Sequence, residues 1–367
     1  MAPKKRNNYL EYILNPFNLF RTKEILTVNP TVIPERKGET PVKISVYDFN
    51  AETLTETSTD KVEDSFHFLH TDKISWINVD GIRKTDVEKI CEYYNIHYLI
   101  AEDIQSVGQR AKMDEIDGVL YCVLHMLYYS SQHGTVESEQ VSIVLGENFV
   151  ITFQEDAHRD VFNPIREKLK IAGSKVRHAG SDYLCYMMLD LIVDNYFVVM
   201  ERLGERVEAL EDDISRHPDN RTLARTNMLR KEMIVLKRTI SPVRELVNGF
   251  MRSDSPLLTE RNEKYYKDIY DHIIQAGDLA ENYRDMLMNL QDLYMSNVNL
   301  RLNETMKVMT IVTVLLAPAT VIGGIFGMNF DTNVPFFHKP WGFYVVVSLM
   351  LLIPVIMIRI FKKRGWF

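Results

Sequence analysis

The sequence predicts an α/β domain followed by long helices and two C-terminal transmembrane helices. Two uncharged stretches, Val308–Phe330 and Pro340–Ile358, each have about the 20 residues that a helix needs to cross a bilayer. Strand and helix patterns alternate in the first part of the chain, and long helical patterns follow from about Ser181. A quarter of all residues are charged and the mean hydropathy is −0.16, so the rest of the chain has the composition of a water-soluble body.

The α/β domain is predicted from segments in which apolar and polar residues alternate. Its predicted strands are Val42–Tyr47, Ile74–Val79, Val119–Tyr129, Val141–Leu145 and Phe149–Phe153. Between the last two strands, Gly146-Glu147-Asn148 has the composition of a hairpin turn. Thr85–Tyr94 reads as a helix capped by Thr85. We expect the sheet to close near Gln154.

Three long helices are predicted in the second half of the chain. Tyr183–Ser215 and Thr222–Asn248 form an antiparallel pair, with Pro242 bending the second helix late. The third helix begins near Thr259 and meets no proline until Pro318, which lies inside the first membrane stretch. About sixty-five helical residues would be roughly 100 Å long, so this helix is expected to leave the bilayer as a stalk.

The stalk carries an apolar seam with alternating steps of four and three residues. Its members are Ile269, Ile273, Ala276, Ala280, Tyr283, Leu287, Leu290 and Tyr294. This spacing is typical of a helix that packs along other helices. Because one chain offers few partners, we expect a homo-oligomer around a central axis to bury the seam.

These patterns divide the chain into six segments and give it an orientation. The segments are the α/β domain 1–180, the helix pair 181–258, the stalk with the first transmembrane helix 259–330, an extracytoplasmic loop 331–339, the second transmembrane helix 340–361 and a basic tail 362–367. The N-terminal residues lack the pattern of a signal peptide. Lys362, Lys363 and Arg364 follow the second crossing, so the positive-inside rule predicts that both termini are cytoplasmic in the cell (inner) membrane.

Composition argues against several other classes of protein. Cys91, Cys122 and Cys185 are odd in number and widely spaced, which predicts buried thiols rather than disulfides or a metal knuckle. The net charge of −7 argues against a nucleic-acid partner. No phosphate-binding glycine loop, nucleophile elbow or His-Glu-x-x-His motif is present, which predicts neither an enzyme nor an organic cofactor.

Small and polar residues share one face of the first transmembrane helix. This stripe consists of Asn303, Met306, Met309, Thr313, Ala317, Thr320 and Gly324, which lie three or four positions apart. It is either a small-residue stripe that packs closely against another membrane helix, or the lining of a pore once several copies surround an axis. In a pore, Met306 and Met309 would form an apolar constriction that gates by dewetting.

An amide follows the glycines at the outer end of this helix. Gly323, Gly324 and Gly327 weaken the helix, and Asn329 reaches the axis of the stripe only if the helix unwinds. A ring of Asn amides is neutral and accepts hydrogen bonds from water, which suits a hydrated ion. Mg²⁺ loses its water reluctantly, so a filter that holds the hydration shell avoids the cost of removing it.

Short segments spread over nearly the whole chain form a recognisable set. Phe326-Gly327-Met328-Asn329-Phe330 ends the first membrane stretch, and Trp341-Gly342 follows the short loop. The further segments are Lys307-Val308-Met309-Thr310, Pro318, Phe361-Lys362-Lys363-Arg364, Trp76-Ile77-Asn78-Val79 and Ala101-Glu102-Asp103-Ile104. Together they resemble the CorA family of magnesium transporters.

The resemblance implies a funnel-shaped homopentamer in which the first membrane helix lines the pore and the second packs outside it. Gly327, Met328 and Asn329 would form the selectivity filter, and Lys362, Lys363 and Arg364 a basic collar. The implied pore lining and gate consist of Asn303, Met306, Met309, Thr313, Ala317 and Thr320.

The resemblance also implies that the cytosolic domain senses intracellular Mg²⁺. Glu102 and Asp103 of one subunit would face Asp190, Asp268 and Asp271 of the same or a neighbouring subunit, and would bind the ion directly or through water. Bound Mg²⁺ would hold the subunits closed, and its loss would open the gate. From the residues alone, ordinary solvated charges are the alternative.

The expected function is passive influx of Mg²⁺, with Co²⁺ or Ni²⁺ as further ions. The membrane potential favours entry of a cation by roughly 2.3 kcal/mol per charge per 100 mV, so no ATP site is needed. A zinc or other transition-metal transporter of the same architecture is an alternative, although amides and hydroxyls on the stripe favour a hard ion. A membrane-tethered structural oligomer is a second alternative.

Overall fold

The computed structural model describes residues 42–130, 134–216, 219–328 and 341–365. Contacts divide the chain into two compact units, with the boundary between Gln291 and Asp292. The first unit holds one mixed sheet and most of the helices. The second unit holds the C-terminal part of a 67-residue helix and one further apolar helix.

Seven strands form the sheet of the first unit. They are β1 Lys43–Phe49, β2 Leu54–Thr59, β3 Ile74–Asp80, β4 Lys112–Ile116, β5 Val119–Ser130, β6 Thr135–Leu145 and β7 Phe149–Gln154. Their order across the sheet is β2-β1-β3-β7-β6-β5-β4. Only β3 and β7 run parallel among these neighbours, which makes this a mixed sheet.

The predicted strands are confirmed, and β7 is the last strand within the described part of the chain, as expected from the pattern that ends near Gln154. β6 begins at Thr135, six residues before the predicted start, because its first half follows the long hairpin with β5. The sequence patterns missed β2 and β4. Both are short edge strands in which polar or half-exposed residues dominate, so alternation was weak.

Helices cover both faces of the sheet. On one face lie a 3₁₀ helix Val62–His70, α1 Lys84–Tyr93 and α2 Tyr98–Gln105, whose apolar side chains share one core with the strands. On the other face, α3 Asn163–Lys170, α4 Lys175–His178 and α5 Ser181–Arg216 follow β7, and α5 packs on the central strands. The predicted cap of α1 was wrong, because the helix begins before Thr85 and its capping position is Arg83.

The remaining helices are α6 Asn220–Arg252, α7 Glu260–Phe326 and α8 Gly342–Lys363. The Asp219 carboxylate caps α6 by accepting a hydrogen bond from the Thr222 N–H at 2.8 Å.

Three described helices, α5, α7 and α8, are long and apolar enough to cross a membrane. The apolar window of α5 is 61% buried, whereas those of α7 and α8 are 6% and 0% buried. α5 is therefore a core helix, and α7 and α8 fit the two predicted crossings.

The seam on α7 is real, but the predicted way of burying it was wrong. All its members except the half-buried Tyr283 are buried within a single chain. α5 and α6 both contact this part of α7: a Cβ placed on Gly204 of α5 would lie 2.5 Å from the Tyr283 hydroxyl oxygen, and Lys237 of α6 pairs with Glu281 at 2.9 Å. The spacing predicted the apolar face but not the helices that pack against it. Burial of the seam does not require other subunits. The three cysteines are buried free thiols, as predicted.

Candidate functional site

In the second unit, α7 and α8 pack together through one face of each helix. On α7 the least exposed positions recur every three or four residues at Ile311, Leu315, Pro318 and Ile322. A Cβ placed on Gly323 would lie 3.1 Å from the Met350 methyl group of α8. The Met350 side chain therefore reaches α7 at Gly323, and the four less exposed positions mark the side of α7 that faces α8.

The stripe predicted from the sequence lies on the opposite side of α7. At 3.6 residues per turn, positions 306 to 324 of the stripe point about half a turn away from the face that contacts α8. All stripe residues are exposed, with Met306 and Met309 at 64% and 68%. Since the stripe does not pack against α8, it is not the packing surface of this hairpin.

Two threonines on the stripe present acceptor oxygens. The hydroxyl of Thr313 donates to the carbonyl oxygen of Met309 at 2.9 Å, and that of Thr320 donates to Leu316 at 3.0 Å. Their hydrogens are thus used inside the helix, and the remaining lone pairs face outward. A hydrated cation turns its water hydrogens outward, so such oxygens can accept hydrogen bonds from its hydration shell.

The helical part of α7 ends at Phe326, three residues before Asn329. The Gly327 N–H donates to Gly323 at 2.9 Å, and the Met328 N–H donates to Ile325 at 3.3 Å in a tightened last turn. The Met328 side chain is 52% exposed. Asn329 and the loop 331–339 lie outside the described residues.

A second candidate site lies between α5 and α7 in the first unit. One ligand atom each from Asp190, Asp268 and His272 lies within 4.8 Å of the others. The Nδ1 atom of His272 is buried and, within the described part of the chain, has no hydrogen-bond partner. Two carboxylates and an imidazole nitrogen are a donor set that fits a divalent cation. We call these three residues the α5–α7 triad.

Electrostatics favour a cation at this triad. Burial raises the pKa of Asp190, and the nearby charge of Asp194 raises it further, as does that of Asp268. His272 acts in the opposite direction. A raised pKa means that the surroundings of the carboxyl group stabilise its negative charge poorly. A bound cation would stabilise the charged form of Asp190.

The triad contains two predicted residues and one that sequence reasoning missed. His272 lies four residues after Asp268 and therefore on the same side of α7, which is the signal that could have identified it. The other predicted carboxylates are elsewhere in the protomer. Glu102 and Asp271 are exposed, and Asp103 already pairs with Lys112 at 2.7 Å.

The predicted basic collar lies at the end of α8. Lys362 and Lys363 form its last turn and Arg364 its C-cap, and all three are exposed. Positive side chains at this position interact favourably with the helix dipole.

Comparison with known proteins decides the family. The family model for CorA-like Mg²⁺ transporter proteins matches residues 71–363. The cobalt/magnesium transport protein CorA of Thermotoga maritima is 37% identical over 337 residues, covering 92% of this chain and 95% of the relative. The chain belongs to the CorA family.

One further relative and one solved structure agree with this assignment. The putative metal ion transporter YfjQ of Bacillus subtilis is 31% identical and covers 80% of this chain and 89% of its own. The solved structure of the CorA magnesium transporter from Methanocaldococcus jannaschii has the same fold, with a TM-score of 0.73 at 22% identity over 88% of this chain and 98% of that one. As a CorA protein, the chain is a divalent-cation transporter with two apolar C-terminal helices.

Proposed function

We propose that this CorA protein is a passive Mg²⁺ channel that also carries Co²⁺ and Ni²⁺ into the cell. The observation that carries the proposal is the position of the polar stripe, which points away from the only other membrane helix among the described residues. In a ring of subunits, five by family resemblance, this face would surround an axis while α8 packs outside. The relative named as a cobalt/magnesium transport protein supports the choice of ions.

The proposed path of the ion follows α7 from the outside to the cytoplasm. Gly327, Met328 and Asn329 form the outer filter, which holds the cation with its water. The lining and gate then follow in the order Thr320, Ala317, Thr313, Met309 and Met306, with Asn303 at the inner mouth. Lys362, Lys363 and Arg364 surround this mouth as a basic collar, with both termini on the cytoplasmic side of the inner membrane.

Thr313 and Thr320 supply chemistry that fits a hydrated ion. Their hydroxyl hydrogens are held by main-chain carbonyls, so each oxygen is an acceptor for the water around the ion. Neither side chain is charged, so neither replaces the tightly held water of Mg²⁺. Among the described residues of the stripe no histidine or cysteine occurs, which favours a hard cation over Zn²⁺.

Intracellular Mg²⁺ is the proposed regulator. The α5–α7 triad would bind it within a protomer, and Glu102 and Asp103 of a neighbouring subunit would complete the coordination, with exposed Asp271 nearby on α7. Because α7 carries both Asp268 and the proposed gate, an ion that ties α7 to α5 would bias the gate toward its closed state.

Growth of a cell that lacks Mg²⁺ uptake tests the proposed function. Wild type should restore growth at low Mg²⁺, and Asn329→Ala should not, although it reaches the membrane in normal amounts. Asn289→Ala, which removes an exposed amide from α7 outside the apolar stretch, is the matched control and should rescue fully. Full rescue by Asn329→Ala would contradict the proposed filter. Zn²⁺ uptake that exceeds Mg²⁺ uptake would reverse the choice of ion.

A further inference from the structure

Three of the residues through which α5 contacts α7 lie four positions apart. Asp182, Tyr186 and Asp190 share one face of α5, and each meets α7 further along its length. Asp182 bonds to the start of α7, Tyr186 packs on Tyr265, and Asp190 lies beside Asp268 in the triad. The two helices run in the same direction along this contact. Sliding α7 along α5 would therefore change all three contacts together.

Of these three contacts, the one at Asp182 consists of hydrogen bonds, which require a defined direction between donor and acceptor. Its side-chain Oδ2 accepts hydrogen bonds from the Thr259 N–H at 3.0 Å, the Thr259 hydroxyl at 2.6 Å and the Asn262 amide at 2.9 Å. Its main-chain oxygen accepts a fourth bond to α7, from the Tyr266 hydroxyl at 3.0 Å. Asp182 is 2% exposed, so these bonds are shielded from water. A buried carboxylate at the first turn of α7 also interacts favourably with its helix dipole.

The local sequence leaves room for this side chain. A Cβ placed on Gly180 would lie 2.7 Å from Oδ1 of Asp182. The same oxygen accepts a bond from the Tyr183 N–H at 2.8 Å. The carboxylate thus joins the start of α5 to the start of α7.

The other two contacts do not fix the register of the helices as firmly. Tyr186 and Tyr265 pack with ring centroids 4.9 Å apart and planes tilted by 36°, within the broad range of about 4.5–7 Å over which aromatic rings pack favourably. In the triad, Asp190 and Asp268 are like charges that repel each other when no cation lies between them. Without an ion, this repulsion works against the close approach of Asp190 and Asp268.

We propose that Asp182 is a positioning residue that keeps α7 in register with α5 and so holds Asp190, Asp268 and His272 at ligand distance before the ion arrives. This inference rests on the proposed regulatory function of the triad. Metal–ligand distances tolerate changes of about 0.2 Å, whereas a slip by one residue moves a helix by about 1.5 Å. A small loss of register at Asp182 would therefore lower the affinity of the α5–α7 triad for Mg²⁺.

The test is a Mg²⁺ titration of the purified full-length protein, with protection from a protease as the readout. Asp182→Asn keeps the size of the side chain but turns an amide toward the N–H and hydroxyl donors of α7. We expect the Mg²⁺ concentration for half-maximal protection to rise about tenfold or more, as for other residues that orient metal ligands. Thr259→Val removes one of the four bonds to α7 and should give a smaller rise in the same direction.

Asp48→Asn is the matched control. Asp48 is also a buried carboxylate, and it accepts bonds from the hydroxyls of Thr71 and Ser75, but it lies on β1. It should lower thermal stability without changing the midpoint of the Mg²⁺ titration. A midpoint that stays at the wild-type value in both Asp182→Asn and Thr259→Val would overturn this inference alone. Absence of protection in the wild type at any Mg²⁺ concentration would overturn the regulatory function with it.

Discussion

At the residue scale, Asp190 shows how surroundings set the behaviour of a ligand. Burial and the neighbouring charges of Asp194 and Asp268 raise its pKa above the ordinary range of an Asp. The metal-free fold therefore favours the protonated form more than the unfolded chain does, and this stabilising effect is lost as the pH rises through the raised pKa. A cation needs the charged form, so protons and Mg²⁺ compete for the same oxygens.

This competition predicts that Mg²⁺ binding weakens at a higher pH than an ordinary carboxylate would allow. Lowering the pH from about 8 to about 5.5 should raise the Mg²⁺ concentration for half-maximal protection from protease, because protons compete with Mg²⁺ for the Asp190 carboxylate, whose pKa is raised. Asp268→Ala should show no protection by Mg²⁺ at any pH in this range. A midpoint that stays constant in the wild type would contradict a regulatory role for Asp190.

The residues of the triad also show what the sequence could not supply. Asp190 and Asp268 were predicted only through the family resemblance, because they are far apart along the chain and meet only when α5 and α7 pack in one register. That register depends on hydrogen bonds between Asp182 and the start of α7, which no periodic pattern reveals. His272 was within reach, since its spacing from Asp268 is that of neighbours on a helix.

At the element scale, patterns along the chain predicted the long helices well because their apolar faces repeat many times. The predicted start near Thr259 lies one residue from the observed start of α7. The seam on α7 was also found, yet its partner was wrong, since spacing alone cannot tell α5 and α6 from a second subunit. α6 continues past Pro242 to Arg252, four residues beyond the predicted end at Asn248, and the bend at Pro242 stays a prediction.

Gly204 on α5 explains how closely α7 can approach. A Cβ at this position would lie 2.5 Å from the Tyr283 hydroxyl oxygen and 3.1 Å from the ring carbon that bears it. Such distances require α7 or the Tyr283 ring to move. Gly277 on α7 has no atom within 4 Å of an added Cβ, which makes it a matched control in the same unit.

We therefore expect opposite effects from the same substitution at these two glycines. Gly277→Ala should raise the free energy of unfolding by about 1 kcal/mol, the usual gain of Ala over Gly inside a helix. Gly204→Ala should lower it by up to about 2 kcal/mol, because an overpacking cost of about 1–3 kcal/mol is set against that gain of about 1 kcal/mol. Thermal unfolding of the two variants measures the difference, and Tyr283→Phe should restore part of the loss in Gly204→Ala. Equal stabilisation by both substitutions would show that α5 and α7 are not tightly packed there.

At the scale of the whole molecule, the sequence separates a charged body from two apolar helices, and the transport proposal places the pore in the apolar part. The membrane-spanning lengths, the polar stripe and the glycine-rich end of α7 were all predicted from the chain. What the patterns left open was which face of α7 meets α8. The structure answers this through the less exposed positions Ile311, Leu315 and Ile322, so the stripe is left available for a pore.

A passive channel makes a quantitative prediction for the full-length protein in liposomes. A dication gains roughly 4.6 kcal/mol per 100 mV, twice the value for one charge, so an inside-negative potential of about 100 mV supports roughly 10³-fold accumulation of Mg²⁺ at equilibrium. A K⁺ diffusion potential should therefore drive Mg²⁺ into the liposomes without ATP, as followed by an enclosed Mg²⁺ indicator. Reversing the potential should reverse the flux.

Asn329→Ala serves as the control in this assay, because loss of the proposed filter should remove the potential-driven flux of Mg²⁺ while the protein remains in the liposomes. Flux that requires ATP, or that ignores the sign of the potential, would exclude a passive channel even if Mg²⁺ is transported. Potential-driven flux in the wild type, together with its loss in Asn329→Ala, would tie conduction to the end of α7. The stripe on the same helix would then be the route by which the ion leaves the filter.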